Sequence, residues 1–155
     1  MAIFLGADID AVYTTLGEGK TPALGDVFFG SGNKVYKFVQ YSEEAAATDG
    51  VAGEVAYYVA DTGYGASQVT SDLSASSEIG AGVLVSAMSD NEYGWIQIKG
   101  GATLSIALTA GGDGDPLTPT GSADGTLDVS GAVTDNVCAI AVDASANEII
   151  CDFPY

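Results

Sequence analysis

Acidic side chains are the commonest reactive groups in this chain, and the groups that usually work beside them are missing. The sequence holds 21 Asp and Glu against four Lys (Lys20, Lys34, Lys37, Lys99), with no Arg and no His. Without histidine, the commonest general base, the usual nucleophilic triads and most zinc sites fall away together. Without arginine there is no bidentate clamp for phosphate or carboxylate. Paired carboxylates can serve a glycosidase, and Glu43-Glu44, Asp113 with Asp115, and Glu92 are the candidates. Each lies in a predicted turn, where acids serve solubility, and none is marked by an apolar setting. The Asp113-Gly114-Asp115 step is a fragment of many calcium loops, but the twelve-residue pattern with its closing glutamate is absent, so it reads as a solvated turn. Cys138 and Cys151 read as small buried hydrophobes, since a metal site from two thiols without histidine is unfavourable. Tyr93 and Trp95, with Tyr57, Tyr58 and Tyr64, have the chemistry of a sugar-binding platform, although strand aromatics more commonly serve a core or a subunit contact. No phosphate-binding loop, nucleophile elbow or dinucleotide fingerprint occurs. The residues predict no catalytic, metal or cofactor site, and the chain reads as a protein that is not an enzyme.

Composition points the same way. At 155 residues the chain suits one ordinary domain, and 47% hydrophobic residues with a mean hydropathy of +0.25 exclude disorder for the chain as a whole. A formal charge of −17 repels phosphate backbones and anionic lipid, so neither nucleic acid nor membrane is expected as a partner. Met1 to Leu5 is followed at once by Gly6, Asp8 and Asp10, which is unlike a signal peptide, and synthesis in a cytosol-like compartment is expected.

Alternation of apolar and polar residues sets the elements. Val83–Met88 and Tyr93–Lys99 flank the polar Ser89-Asp90-Asn91-Glu92, which predicts a hairpin with Val85 opposite Ile96 and Val83 opposite Ile98. Ala102–Leu108 would return as a third strand after a loop at Gly100-Gly101. Strands are also predicted over 34–41, 54–60, 126–129, 133–142 and 148–153, with a short edge strand near 68–73. In 34–41, Val35, Val39 and Tyr41 share one side, and Tyr36 and Phe38 the other. The last two strands would pair Val142 with Ile149, Ile140 with Cys151 and Cys138 with Phe153. The expected fold is all-β, an antiparallel β-sandwich or small β-barrel over 33–155. Residues 1–32 are read as a weakly structured N-terminal arm, laid on the protein's own sheet or on a partner.

The order Gly82-Val83-Leu84, then Glu92-Tyr93-Gly94-Trp95-Ile96-Gln97-Ile98-Lys99-Gly100, then Asp115-Pro116-Leu117 and a tail of small residues resembles the small capsid decoration, or cement, proteins of tailed bacteriophages. The likeness spans roughly residues 34–155. It implies a virion structural protein, made in the host cytoplasm, that binds major capsid protein on the outer face of an HK97-like head, often as a homotrimer, and reinforces capsomer contacts. The interface residues expected on this basis are Phe4, Leu5, Phe28, Phe29, Tyr93 and Trp95, with the acids facing solvent. Removal of residues 1–25 is expected to weaken attachment more than folding. The alternative is a carbohydrate- or receptor-binding β module of a tail fibre or adhesin.

Overall fold

The computed structural model describes residues 6–17, 19–46, 48–121 and 123–155. Its strands are β1 (Val27–Phe29), β2 (Val35–Tyr41), β3 (Val55–Val59), β4 (Gln68–Thr70), β5 (Ser76–Leu84), β6 (Tyr93–Thr103), β7 (Pro116–Thr118), β8 (Asp128–Val129), β9 (Ala139–Asp143) and β10 (Glu148–Asp152). The single α-helix among the described residues, α1 (Gly63–Ala66), is one turn long. The expected all-β architecture is the one the chain builds.

The hydrogen-bonded order is β1-β2-β4-β3-β5-β6-β10-β9-β7-β8, and β2 pairs in addition with β6. That extra pairing closes β2, β4, β3, β5 and β6 into a ring. Closure removes most of the free edge that a small sheet would otherwise expose. At 11 residues β6 is long enough to serve twice, since Tyr93–Lys99 pairs with β2 while Lys99–Thr103 pairs with β10. The main core lies inside, where Val39, Tyr41, Tyr57, Tyr58, Ile96, Ile98, Leu117, Leu127 and Phe153 are almost fully buried. Tyr57 ties the centre to the long loop before β8: its hydroxyl donates to the Thr126 carbonyl and accepts from the Thr126 amide at 3.0 Å. The predicted two-sidedness of β2 holds. Val35, Val39 and Tyr41 face the main core, whereas Tyr36 and Phe38 join a separate aromatic cluster with Trp95.

Four expectations are corrected. Val83 pairs with Gln97 and Leu84 with Ile96, one residue away from the predicted register. The cause is a partner invisible to local alternation: beyond Val85 the chain turns to Gly50, which exchanges two backbone hydrogen bonds with Met88, so residues 85–92 make a wide excursion in place of a tight turn. Second, the segment after Gly100-Gly101 does not fold back. Gly100, at φ 89°, is absorbed within β6, where a Cβ would stand 2.9 Å from the Asn33 carbonyl oxygen. Third, β4 is no edge strand, because it sits between β2, to which it is parallel, and β3. Fourth, Ile149 pairs with Ala141, Ile150 with Ile140 and Cys151 with Ala139, because a bulge between Glu148 and Ile149 moves the hairpin by one residue. Ala139 and Ala141 therefore point inward and Ile140 and Val142 outward, the reverse of the expected arrangement.

Part of the N-terminal segment is woven into the fold. β1 pairs with β2 from Val27 to Phe29, and Tyr13 exchanges hydrogen bonds of 2.8 Å with Tyr93.

Candidate interaction surface

The second face of the β2–β6 pair carries the aromatic residues singled out from the sequence. Phe38 and Trp95 are cross-strand partners, and their rings meet edge to face at 5.2 Å. Phe28 of β1 approaches Trp95 at 6.3 Å and stacks on Tyr36 at 6.2 Å, and Tyr13 meets Phe38 at 5.8 Å. Ala7, Ile9 and Tyr93 pack on the same cluster, and the Ser86 hydroxyl donates to the Asp10 carbonyl at 2.9 Å. Residues 7–13 thus lie over the cluster as a strap. Trp95 is left 1% exposed and its Nε1 has no hydrogen-bond partner among the described residues.

This placement sorts the expected interface residues. Phe28, Tyr93 and Trp95 are brought together, but largely in contact with one another, and Trp95 presents no surface in the single chain. Phe29 differs: it points away from the cluster on β1, a terminal strand of the sheet, and is 51% exposed. Phe4 and Leu5 lie outside the described residues. Leu16 and Leu24 add exposed apolar surface in the segment before β1, around a shallow hollow of about 360 Å³ with Pro22. Of the aromatics expected in a sugar platform, Tyr57, Tyr58 and Trp95 are buried, Tyr93 is half-buried and Tyr64 is exposed.

The candidate carboxylates are occupied with backbone amides and neighbouring side chains. Asp115 accepts from the Gly112 amide at 2.8 Å and Asp113 from the Ala144 amide at 2.9 Å, which fixes the loop before β7 against the β9–β10 turn. Glu92 accepts from the Ser89 amide at 2.8 Å. Glu44 accepts from the Ser42 hydroxyl at 2.6 Å, and Glu43 and Asp90 bond each other's backbone amides. A hydrogen bond with Asp49 is the largest cause of a raised pKa at Glu43. Glu92, Asp113 and Asp115 thus serve separate turns, whereas Glu43, Asp49 and Asp90 are drawn together. Among the described residues no group of three or more potential ligands could hold a metal ion. Cys138 and Cys151 are both buried and unbonded, and burial holds them as thiols, with Cys151 pushed up to about 12.

No family model, curated protein or solved structure matches this chain.

One functional-looking group went unremarked in the sequence. Lys37 alternates with Val35 and Val39 and so faces inward, only 6% exposed. Its Nζ donates to the Tyr58 hydroxyl at 2.9 Å and lies 5.0 and 5.4 Å from the ring centres of Tyr58 and Tyr64. Desolvation lowers its pKa. The signal was legible in principle, since a lysine at an inward position of a strand needs a buried partner. Flanked by two rings and hydrogen-bonded, this ammonium acts as a tie between β2 and β3.

Proposed function

We propose that this chain is a structural protein of a virus particle, a decoration or cement protein seated on the outer face of an HK97-like bacteriophage head. Its partners on this reading are the major capsid protein and two further copies of itself, and its work is to hold neighbouring capsomers together by adhesion, with no bond made or broken. The observation that carries the reading is Phe29, a large exposed aromatic on a terminal strand of a closed sheet. Exposed apolar groups on an otherwise strongly acidic surface are what a binding site looks like before its partner arrives. Supporting it, the ring of five strands makes a rigid module, and its charge keeps copies apart before assembly and draws them toward a basic patch on a shell. The sequence resemblance to cement proteins supports the same reading. The carbohydrate-binding alternative is the less favoured reading, because Trp95 is covered by the chain's own Phe28 and strap.

Electron microscopy of the particle assembled with this chain is the test. Density for the chain on the outside of the head, at sites between capsomers, is expected. Phe29→Ser should raise the concentration needed to half-saturate undecorated heads by about tenfold, or ~1.4 kcal/mol. A particle in which the chain occupies the tail, or is missing from the head exterior, overturns the reading.

A further inference from the structure

The strap of residues 7–13 is fastened well at its seat and poorly along its tether. Its seat is built from residues that follow it in the chain, Phe28, Tyr36, Phe38, Ser86, Tyr93 and Trp95. The tether, 14–24, bonds to itself. Among the described residues its hydrogen bonds run within the segment, as from the Lys20 and Thr21 amides to the Gly17 carbonyl at 3.1 and 3.3 Å, or to Asp26. The first bond back to the sheet comes after it, from the Gly25 amide to the Phe38 carbonyl at 2.8 Å. Leu16 and Leu24, 44% and 37% exposed, stand on this tether around the hollow that Pro22 helps to line.

Length decides how far the strap can travel. Tyr93 pairs with Gln40 of β2 on one edge and with Tyr13 on the other, while Phe38 pairs with Trp95 on one edge and bonds Gly25 on the other. Tyr13 and Gly25 therefore flank the β6–β2 pair, three strand spacings or ~14 Å apart. The 11 residues between them reach about 36–40 Å when extended, close to the diameter of a domain of this size. The tether is slack in the closed chain and long enough to lay the strap on a neighbour. A strap seated on a second copy makes the same contacts that it makes on its own, so what opposes exchange is the millimolar effective concentration of a tethered segment and the repulsion between two chains of charge −17. What favours it is the tether: two exchanged tethers cross, and Leu16 and Leu24 of one can fill the hollow of the other.

We propose that copies of this chain associate by exchanging straps, residues 7–13 of one copy lying over the Phe38–Trp95 cluster of the next. Passed from copy to copy, such an exchange closes a ring of two or of three with every seat filled. This deepens the self-association in the reading above, and it needs no shell to be seen.

The test uses the full chain alone in solution. Asp10→Cys marks the strap and Ser86→Cys its seat, at the place where the Ser86 hydroxyl meets the Asp10 carbonyl, and the native Cys138 and Cys151 are buried. In the dilute double variant a short bis-maleimide should join the two positions within one chain. The single variants, mixed and equilibrated near millimolar concentration before treatment, should give a covalent dimer holding one chain of each, at about ten times the yield of Asp10→Cys mixed with Val133→Cys, whose fully exposed position reports random collision. Trypsin gives a second reading that needs no substitution. Lys20 is exposed in the tether, the chain has no Arg, Lys37 is buried, and Lys34 and Lys99 are half-buried. A cut after Lys20 severs the tether and should return wild-type oligomers to monomers in sedimentation velocity, which a face-to-face contact would survive. A mixed dimer at the collision yield overturns the proposal, as does an oligomer that outlasts the cut or a double variant that does not close on itself. Exchange in a chain that fails to decorate heads would sink the capsid reading alone, and decoration by a chain that cross-links only at the collision yield would sink this one alone.

Discussion

At the scale of single residues, two glycines show how differently the same addition of a methyl group acts in this fold. Gly82 lies in β5 where a Cβ would stand 2.8 Å from the Gln97 carbonyl oxygen and 3.1 Å from Ile96. Both neighbours belong to the strand paired with it, so neither can move aside without disturbing the ring. Gly101, in β6, has nothing within 4 Å of the same position. Gly82→Ala is expected to cost about 1–3 kcal/mol through forced backbone movement, whereas Gly101→Ala should be neutral or stabilise by up to ~1 kcal/mol through the unfolded chain. Urea unfolding of the two variants checks this, and equal effects would contradict the close approach at Gly82. Asn147 offers a second contrast. It closes the β9–β10 turn at φ 58°, behind Asp143, whose carboxylate accepts from the Ala146 amide at 3.0 Å and is held below the usual range by the Ser145 hydroxyl and that amide. Asn147→Gly should be tolerated and Asn147→Val should lower stability by about 1–2 kcal/mol, because a β-branched residue resists the left-handed region. Thermal melts separate the two, and tolerance of valine would mean the turn can relax.

At the scale of elements, strands were more legible than their partners. The alternation Val35-Tyr36-Lys37-Phe38-Val39 fixes which side chains share a face, and β2 obeys it because both of its faces are buried and each needs a different apolar set. Register was less readable. Ile149-Ile150 opposite the run Ala139-Ile140-Ala141-Val142 offers an apolar face in either register, and the choice falls to a bulge that alternation does not announce. The parallel pairing of β4 with β2 was likewise hidden, since it joins residues about 28 apart through a loop and β3. Of the expected interface, Phe29 is exposed and Trp95 is covered, and the strap that covers it is built from Ala7, Ile9 and Tyr13, too sparse a pattern to be read as structure. This alters what truncation should do. Removing residues 1–13 takes away Tyr13 with its two hydrogen bonds to Tyr93 and uncovers Phe38 and Trp95, at an expected cost of ~2–4 kcal/mol. Trp95 is the sole tryptophan, so its emission should shift to the red and its quenching by acrylamide should at least double. A truncated chain with wild-type Tm and a shielded Trp95 would show the strap to be dispensable to the fold.

At the scale of the whole molecule, the titratable groups divide into acids spread over loops and phenols and thiols held inside, and the two sets respond to opposite ends of the pH range. Burial raises the pKa of Tyr57, Tyr58, Cys138 and Cys151 above ordinary values of 10.0 for tyrosine and 9.0 for cysteine. A group whose folded value is raised contributes stability that is present in full below its unfolded value and lost as pH rises through the interval between the two. In the unfolded chain the thiols ionise from about pH 9 and the phenols from about pH 10, while the folded protein holds all four neutral. Each such group then removes about 1.4 kcal/mol of stability per pH unit, so the four together remove roughly 5, a sum comparable to the entire stability of an ordinary domain. Lys37 works the other way, since its lowered pKa makes stability rise with pH up to 10.5, but the buried groups with raised values, Tyr36 and Tyr41 among them, outnumber it. At the acid end Asp135 and Asp143 have lowered values and favour the fold above about pH 4, while protonation of the many other acids relieves repulsion and offsets their loss. Stability should therefore change gently on the acid side and collapse between about pH 10 and 11. Followed by tyrosinate absorbance and circular dichroism together, the eight tyrosines should not give one smooth curve, because the buried Tyr57 and Tyr58 should ionise only in a steep step that coincides with unfolding. Smooth titration of all eight before any loss of structure would mean that water reaches the interior of the ring, and the tight closure of β2 onto β6 would have to be given up.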